Sequence, residues 1–462
     1  MIDSFYSPKA SQSKYWNPYG QTLSRDELDK RHLSKIQKLI KFAYDNTPFY
    51  RDLYGKAGFK PEDIRTWDDF HHRVPLVDKP DFMREQDARP PIAMPGLPRE
   101  HQHAFLMTSG TTGSPMRMAY SRYDEVSSGD LFATAWWDGG VRAGDSYYFC
   151  FTFGPWAALW AAYWGTKRLG GIVYSGASLS TEDRIKQILA FKPTVVLGTP
   201  TYLLHMAEVA EKMGVDLHQA GVKMLSGGGE PGFNVPVTRR VLLDKWGAER
   251  TGDIYGLSET CNACVECGKA GSGGVHVHEW HFHGYAMSPD TLEPVKEGEI
   301  GEHIITTYRR IGQIFIKYRT HDLVQFDYHP DHGCGWSWAF LPGAVLARTD
   351  FMVIIRGVNV FPTAIENLLG QVPGASHHYE IHIDRVEGLD KILVKFEAKD
   401  GETSDNFAGI AARAKALYHE KLSVGVDVEV IHPGALPRYD LKAKRMFDHR
   451  PKDVLRKLEG QS

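Results

Sequence analysis

Between Tyr147 and Pro231 the sequence alternates strand-forming runs with stretches of helical spacing, and few architectures accommodate that order. Tyr147-Tyr148-Phe149-Cys150-Phe151-Thr152-Phe153 is rich in strand formers. Trp156, Trp160 and Trp164 follow at i, i+4 and i+8, an aromatic stripe at helical spacing. Gly171-Ile172-Val173-Tyr174 predicts a strand, 181–191 a helix and 193–200 a buried strand. A further strand at 222–226 runs into Gly227-Gly228-Gly229-Glu230-Pro231. Such alternation predicts an α/β fold of parallel sheets covered by helices. The 462 residues exceed what one core serves, so two or more domains are expected.

The densest run of hydroxyls and glycines is Met107-Thr108-Ser109-Gly110-Thr111-Thr112-Gly113-Ser114-Pro115-Met116-Arg117. Phe105-Leu106-Met107 reads as the end of a buried strand and Met118-Ala119-Tyr120 as the start of the next. Glycines admit a ligand close to backbone N–H groups, and clustered N–H and hydroxyl groups suit phosphate oxygens. Taken alone the run is equally an ordinary polar hairpin turn. It is not a Walker loop, because no Gly-Lys-Ser/Thr closes it. The glycines at 227–229 leave a bare backbone that a ligand plane could lie against, or serve a tight strand-to-helix turn. Further on stand Tyr255-Gly256-Leu257-Ser258-Glu259, Tyr318-Arg319-Thr320-His321-Asp322-Leu323, Ala347-Arg348-Thr349-Asp350 and Leu436-Pro437-Arg438-Tyr439-Asp440-Leu441-Lys442-Ala443-Lys444-Arg445.

In this order the motifs resemble those of the acyl-adenylate-forming enzymes, the superfamily of acyl-CoA synthetases, luciferases and peptide-synthetase adenylation domains. The opening of the chain is similar to phenylacetate-CoA ligases. A helix at 26–45 carries Leu33, Ile36, Leu39, Ile40 and Ala43 on one face. Asn46-Thr47-Pro48-Phe49-Tyr50 breaks it, and Gly58-Phe59-Lys60-Pro61-Glu62-Asp63-Ile64 and Val74-Pro75-Leu76-Val77-Asp78-Lys79 follow. Three positions depart from the usual pattern. Ser114 stands where a lysine is common, Ala347 where a glycine precedes the hinge arginine, and Leu441 where a glycine precedes the lysine.

The resemblance implies a large N-terminal domain, 1–349, and a small mobile α+β domain, 350–462, hinged near Asp350. Strands at 379–384, 391–397 and 426–431, with helices at 363–369 and 404–422, suit that second domain. It further implies that Thr108, Ser109, Gly110, Thr111, Thr112 and Gly113 hold pyrophosphate. Gly229, Glu230 and Pro231 would hold adenine, Tyr255 would stack on it, and Gly256 and Arg348 would line the nucleotide. Ser258 would touch phosphate and Glu259 would help hold Mg²⁺, since a carboxylate beside phosphate oxygens suits that hard cation. Asp322 would accept the ribose hydroxyls. Lys442, with Lys444 two residues on, would be the catalytic lysine, acting with Glu259 and Thr108. Phe151, Phe153 and Trp156 would wall the acyl pocket. Some phenylacetate-CoA ligase relatives carry four positions able to form a structural metal site. Here they are Cys267, His276, His332 and Cys334, and a His replacing one Cys still ligates Zn²⁺.

The expected activity is ATP-dependent activation of a benzoate- or phenylacetate-type acid through an acyl-adenylate, followed by transfer to CoA. One alternative is a stand-alone adenylating enzyme that loads a carrier protein. Another is a non-catalytic nucleotide-binding homologue, against which Glu259, Asp322 and Lys442 argue. A formal net charge of −3 gives no basic footprint for nucleic acid. Met1-Ile2-Asp3-Ser4 lacks the basic-then-apolar start of a secretory signal, and no apolar run approaches the roughly 18 residues of a membrane span. Five cysteines, three of them at 261, 264 and 267, do not make a disulfide framework. A cytoplasmic protein, with a homodimer as its assembly, is expected.

Overall fold

The structure is a computed structural model. It describes residues 13–108, 115–151, 153–261, 264–269, 271, 273–349, 353–355, 358–360, 362–386, 389–422, 425–438 and 445–450. No helix among them is long and apolar enough to cross a membrane.

The alternating stretch builds one half of an eight-stranded sheet. Ile172–Ser175, Ser146–Phe149, Val195–Leu197, Met224–Gly228 and Arg250–Tyr255 lie side by side and all pair in parallel. Helices Ala157–Leu169, Thr181–Phe191, Pro200–Lys212 and Pro236–Trp246 make the crossovers that parallel pairing demands. The sheet does not stay parallel. Cys264–Val265, Gly274–Val277 and Phe340–Pro342 extend it with antiparallel pairs. A second sheet, Phe282–Met287, Ile300–Thr307, Tyr318–Gln325 and Ala347–Arg348, is antiparallel throughout. The α/β expectation of sheets covered by helices holds, and the parallel pairing read from the alternating stretch is confined to that stretch and the strand after it. Among the described residues between Tyr255 and Phe340 no helix intervenes, so Cys264–Val265 and Gly274–Val277 join by a short antiparallel connection, while Phe340–Pro342 returns to the sheet after the strands of the second one.

Three local readings also change. The helix Arg25–Asn46 forms, closed at its start by a Ser24–Glu27 capping box, but His32 rather than Leu33 occupies the fully buried position. His32 Nε2 lies 2.8 Å from the Glu279 carbonyl oxygen, which satisfies a polar ring in the core. Thr47 ends that helix as predicted, and Pro48 at once starts another, Pro48–Lys56, since proline suits a first helical turn. The strand Gln102–Met107 pairs with Arg117–Ser121, yet Phe105 is 46% exposed and only Leu106 on that strand is buried.

The C-terminal part has its own core, from Val360 and Ile365 through Ile381, Val394 and Phe396 to Tyr418. Its four-stranded sheet runs Val426–Ile431, Leu389–Ala398, Ala375–Val386, Met446–Asp448. Helix Ser404–Leu422 matches its predicted limits. The last strand, Met446–Asp448, is three residues long and carries no strand signal of its own.

Candidate active site

Four parallel strands end at the same edge of the large sheet, where α/β folds receive their ligands. The segment after Phe149 brings Phe151 and Phe153, and that after Leu197 brings Gly198 and Thr199. Gly228 leads to Gly229, Glu230 and Pro231, and Tyr255 to Gly256, Ser258 and Glu259. Hydrogen bonds tie these ends together. The Met107 N–H donates to the Pro155 carbonyl at 2.7 Å, joining the hydroxyl-rich loop to the aromatic segment. The Tyr120 hydroxyl donates to the Ser258 carbonyl at 3.1 Å. Thr108 closes the base of the loop, its N–H donating to the Met116 carbonyl and its Oγ1 accepting from the Met116 N–H, both at 3.0 Å. Ser109, Gly110, Thr111, Thr112, Gly113, Asp350 and Lys442 lie outside the described residues.

The glycines of the 227–231 turn have a packing reason. A Cβ on Gly227 would stand 2.0 Å from the Gly198 carbonyl oxygen, and one on Gly228 would stand 1.9 Å from that of Ile254. Neither position admits a side chain while the strands stay paired. Gly229, at φ +88°, has open space beside it and faces solvent. The Glu230 carboxylate does not point freely outward. Its Oε1 accepts the Thr201 N–H at 2.8 Å, capping the helix Pro200–Lys212.

Asp322 is almost wholly buried, and both its oxygens are engaged. Arg348 donates to Oδ1 at 2.5 Å and the Tyr255 hydroxyl to Oδ2 at 2.9 Å. The structure therefore joins three residues that stand far apart in sequence. Burial raises the Tyr255 phenol well above its ordinary range, and the neighbouring Asp322 charge adds to this, so it stays a donor. On the same strand His321 takes a positive φ of 62° and lies 3.0 Å from Asp78 Oδ1. The Asp78 hydrogen bond holds the imidazole above its ordinary value despite partial burial. Burial pushes the Asp78 carboxyl up, but His321 outweighs it and holds the group low. Glu259 is 5% exposed, and the Lys79 ammonium stands 3.8 Å from it, too far for a hydrogen bond. A buried carboxylate with so loose a cationic partner fits a metal-holding role. Arg310 donates to the Glu259 carbonyl and lies over the Tyr120 ring, 4.2 Å from its centroid. Sequence reading missed Lys79, Arg310, Asp78 and His321 as members of this region. Lys79 and Asp78 stood in plain view in the opening motif, but nothing in the order of residues shows which strand they meet.

Of the predicted acyl wall, Phe151 and Phe153 pack edge to face at 6.4 Å, and Phe153 continues to Trp160 at 5.6 Å and Tyr163 at 5.9 Å. All four rings are partly buried. Trp156 meets the same segment at Gly154, whose carbonyl accepts the Trp160 indole N–H at 2.9 Å. The Trp156 ring lies over Gly154, where a Cβ would come within 2.6 Å of it, and it caps the start of the helix Ala157–Leu169.

Cys267, His276, His332 and Cys334 do converge. His276 Nε2 is 3.2 Å from His332 Nε2 and 3.6 Å from Cys334 Sγ, and Cys267 Sγ is 3.4 Å from His332 Nε2. A tetrahedral Zn²⁺ with usual bond lengths sets N–N edges of about 3.3 Å and N–S edges of about 3.5 Å. The donor set fits the ion. His276 Nδ1 donates to the Trp338 carbonyl at 2.8 Å, which aims the Nε2 lone pair inward. Gly333 and Gly335, both at positive φ, flank Cys334 and turn its sulfur to the cluster. Without an ion the thiols behave as a pair. The Cys267 hydrogen bond lowers Cys334, while Cys267 itself is pushed up to about 11 by that bond and by burial. A second trio, Glu208, His377 and His378, also gathers donor atoms. There Arg438 stands 3.6 Å from Glu208 and would repel a dication, so the trio is an ion-pair hub.

Comparison with known proteins agrees with this geometry. The family model for AMP-binding enzymes matches residues 24–309, and that for the AMP-binding enzyme C-terminal domain matches 357–450. The phenylacetate-coenzyme A ligase of Aromatoleum evansii is 32% identical over 437 residues, covering 93% of this chain and 96% of that one. A crystal structure of 2-hydroxyisobutyryl-CoA ligase in the postadenylation state, with its acyl-adenylate, superposes with a TM-score of 0.89 at 27% identity. It covers 100% of this chain and 97% of that one. The same protein in the thioesterification state, with the adenylate and CoA, gives a TM-score of 0.73 at 27% identity, covering 100% and 98%.

Proposed function

The chain belongs to the AMP-binding enzyme family and is an acid–thiol ligase working through an acyl-adenylate, and from that premise we propose that its acid is aromatic, of benzoate or phenylacetate type. The observation that carries the proposal is the partly buried cluster of Phe151, Phe153, Trp160 and Tyr163 at the sheet edge that also bears the nucleotide motifs. Each aromatic pair adds about 0.5–1.5 kcal/mol beyond burial, so a ring gains there what acetate cannot. The phenylacetate-coenzyme A ligase relative supports this reading.

A carboxylate is a poor acyl donor. Its oxygen attacks the α-phosphorus of ATP, pyrophosphate leaves, and the thiol sulfur of CoA then displaces AMP from the acyl carbon. The protein must bring two anions together and hold them in line, which is work of charge neutralisation and positioning. Asp322 accepts from the ribose, held in place by Arg348 and Tyr255. Thr108 and the hydroxyl-rich loop it anchors receive the pyrophosphate end. Glu259 would help hold Mg²⁺, which would supply positive charge at the phosphates. Lys442, a point charge on a flexible stem, bridges the two reacting groups from the domain that begins near Asp350. Cys267, His276, His332 and Cys334 would hold a structural Zn²⁺. An ion held by four protein donors would support the edge of the sheet and take no part in the chemistry.

Pyrophosphate release should be measured across a panel of acids, with product mass spectra with and without CoA. Benzoates or phenylacetates should lead, giving an adenylate without CoA and a thioester with it. Turnover led by palmitate or acetate would refute the aromatic assignment.

A further inference from the structure

Among the described residues, one contact between the two domains involves a residue that no motif assigned. Arg445 follows Lys442 by three positions, a stretch that spans at most about 10–11 Å. Its guanidinium fork divides between domains. One nitrogen donates to Glu366 on the small-domain helix Pro362–Leu369 at 2.7 Å, and the other to Thr201 Oγ1 on the large-domain helix Pro200–Lys212 at 2.8 Å. The Tyr379 ring lies under the same group, 4.6 Å away. Thr201 is 6% exposed, and its N–H is the one that Glu230 of the glycine-rich turn accepts. A continuous set of hydrogen bonds thus runs from the nucleotide turn through Glu230, Thr201 and Arg445 to Glu366. Beside it, His378 Nε2 meets Glu208 Oε1 at 2.7 Å across the same boundary, and Arg438 binds Glu397 through both terminal nitrogens at 2.9 and 2.8 Å. A cavity of about 20 Å³ remains between Thr201, His205, Tyr379 and the two arginines.

We propose that Arg445 and Thr201 are a positioning pair that seats the small domain against the nucleotide turn for adenylate formation, and that the pair must part before thioester formation. The proposal rests on the two-step activity assigned above. Glu366 travels with Arg445, because both belong to the small domain. Thr201 does not, so only its bond is specific to one orientation of the domains. That orientation is the one this chain shares with the postadenylation arrangement. Arginine suits the task because its planar fork serves two acceptors at once with little loss of freedom.

The test is Thr201→Val, which keeps shape and the backbone N–H held by Glu230 but removes the hydroxyl. Thr201→Ser restores an acceptor, and Arg445→Lys keeps charge without the fork. Each half-reaction is measured separately, with pyrophosphate release for the first and CoA thioester formation from synthetic acyl-adenylate for the second. Thr201→Val should lower kcat of the first step about tenfold, the effect of losing one charge-assisted hydrogen bond, with KM for ATP and acid unchanged. The second step should hold or quicken, Thr201→Ser should recover most of the rate, and Arg445→Lys should behave like Thr201→Val. Equal loss in both steps marks a merely structural contact and overturns the proposal, as does an unchanged first step. A wild-type protein that makes no adenylate from any acid overturns the activity, and this pair with it.

Discussion

Replacing Asp322 with Asn probes the nucleotide site most directly, because shape is kept and one charge is lost. The buried carboxylate already takes Arg348 at 2.5 Å and Tyr255 at 2.9 Å. A carboxylate as a group offers about four acceptor sites, which suits it to take ribose hydroxyls as well as protein donors. In the variant the amide oxygen faces Arg348 and the amide nitrogen faces the Tyr255 hydroxyl. That hydroxyl can turn its proton to His303 Nδ1, 3.1 Å away, so the fold survives. What the ribose loses is the charge. Hydrogen bonds to an ionised acceptor contribute about 1.5–3 kcal/mol, roughly twice a neutral one. Two weakened bonds amount to about 2–3 kcal/mol, or roughly 30- to 150-fold in Kd for ATP at 1.4 kcal/mol per tenfold. Calorimetry with ATP and 2′-deoxy-ATP reads this out. The wild-type protein should discriminate between the two nucleotides, and the variant should do so far less. Equal ATP affinity in both proteins, or undiminished discrimination in the variant, would refute the assignment of Asp322 to the ribose.

Other outcomes follow from the same geometry. Elemental analysis of protein purified without chelator should find about one Zn²⁺ per chain, and His332→Ala and Cys334→Ser should each lose it and lower Tm; a metal-free wild-type protein would remove the site. The His321 pKa is raised above its unfolded value near 6.5, so the stability from the His321–Asp78 pair is full below about 6.5 and is lost as pH rises through the higher folded value. Tm should therefore fall across that range in the wild-type protein and less steeply in His321→Asn, and parallel profiles would discard the pair. Phe153→Ala should raise KM for the acid at least tenfold and leave that for ATP unchanged, since its ring contacts are with Phe151, Trp160 and Tyr163. Lys442→Ala should abolish adenylate formation and spare thioester formation from supplied adenylate; the same result in Lys444→Ala instead would move the catalytic position by two residues.

What the sequence made legible was whatever local spacing encodes. Helices Thr181–Phe191 and Ser404–Leu422 have predicted limits because periodicity and flanking residues specify both ends. The glycines at 227 and 228 were visible, but their reason was not. They are bare because carbonyl oxygens of neighbouring strand ends approach them, which depends on strand order. Asp322, Tyr255 and Arg348 were each assigned by motif, yet their joining into one hydrogen-bonded unit depends on the antiparallel register that sets Asp322 opposite Arg348. Lys79, Thr201 and Arg445 escaped for a related cause. Each lies in a segment whose local reading is complete as helix or strand end, and each gains its role through a partner far away in the chain, Glu259 for Lys79 and, 244 positions apart, Thr201 and Arg445 for each other. Trp156 shows the converse. Helical spacing grouped it with Trp160 and Trp164, but the helix begins at Ala157, so the first member of the stripe falls outside the turn that would have aligned it.

The assembly separates tasks by structural origin, and this bears on how specificity can change. The proposed nucleotide contacts lie at the ends of the central strands and on the second sheet, where glycine packing and a buried three-residue network leave little freedom. The proposed acid contacts lie on the segment after Phe149 and on one face of the helix Ala157–Leu169. Among the described residues, the segment after Phe149 meets the strand end that leads into the hydroxyl-rich loop through the backbone hydrogen bond between Met107 and Pro155. Substitutions at Phe151, Phe153, Trp160 and Tyr163 therefore alter the volume offered to the acid without touching the ribose or phosphate groups. The proposed metal site is built from other segments. Cys267 and His276 belong to the antiparallel extension of the large sheet, and the 332–334 turn is fastened to the N-terminal segment by Lys14, whose ammonium donates to the Cys334 carbonyl at 3.2 Å. Loss of the ion should weaken that edge first. Thermal stability would then fall by more than the KM for either substrate changes, the opposite of what a catalytic metal would give.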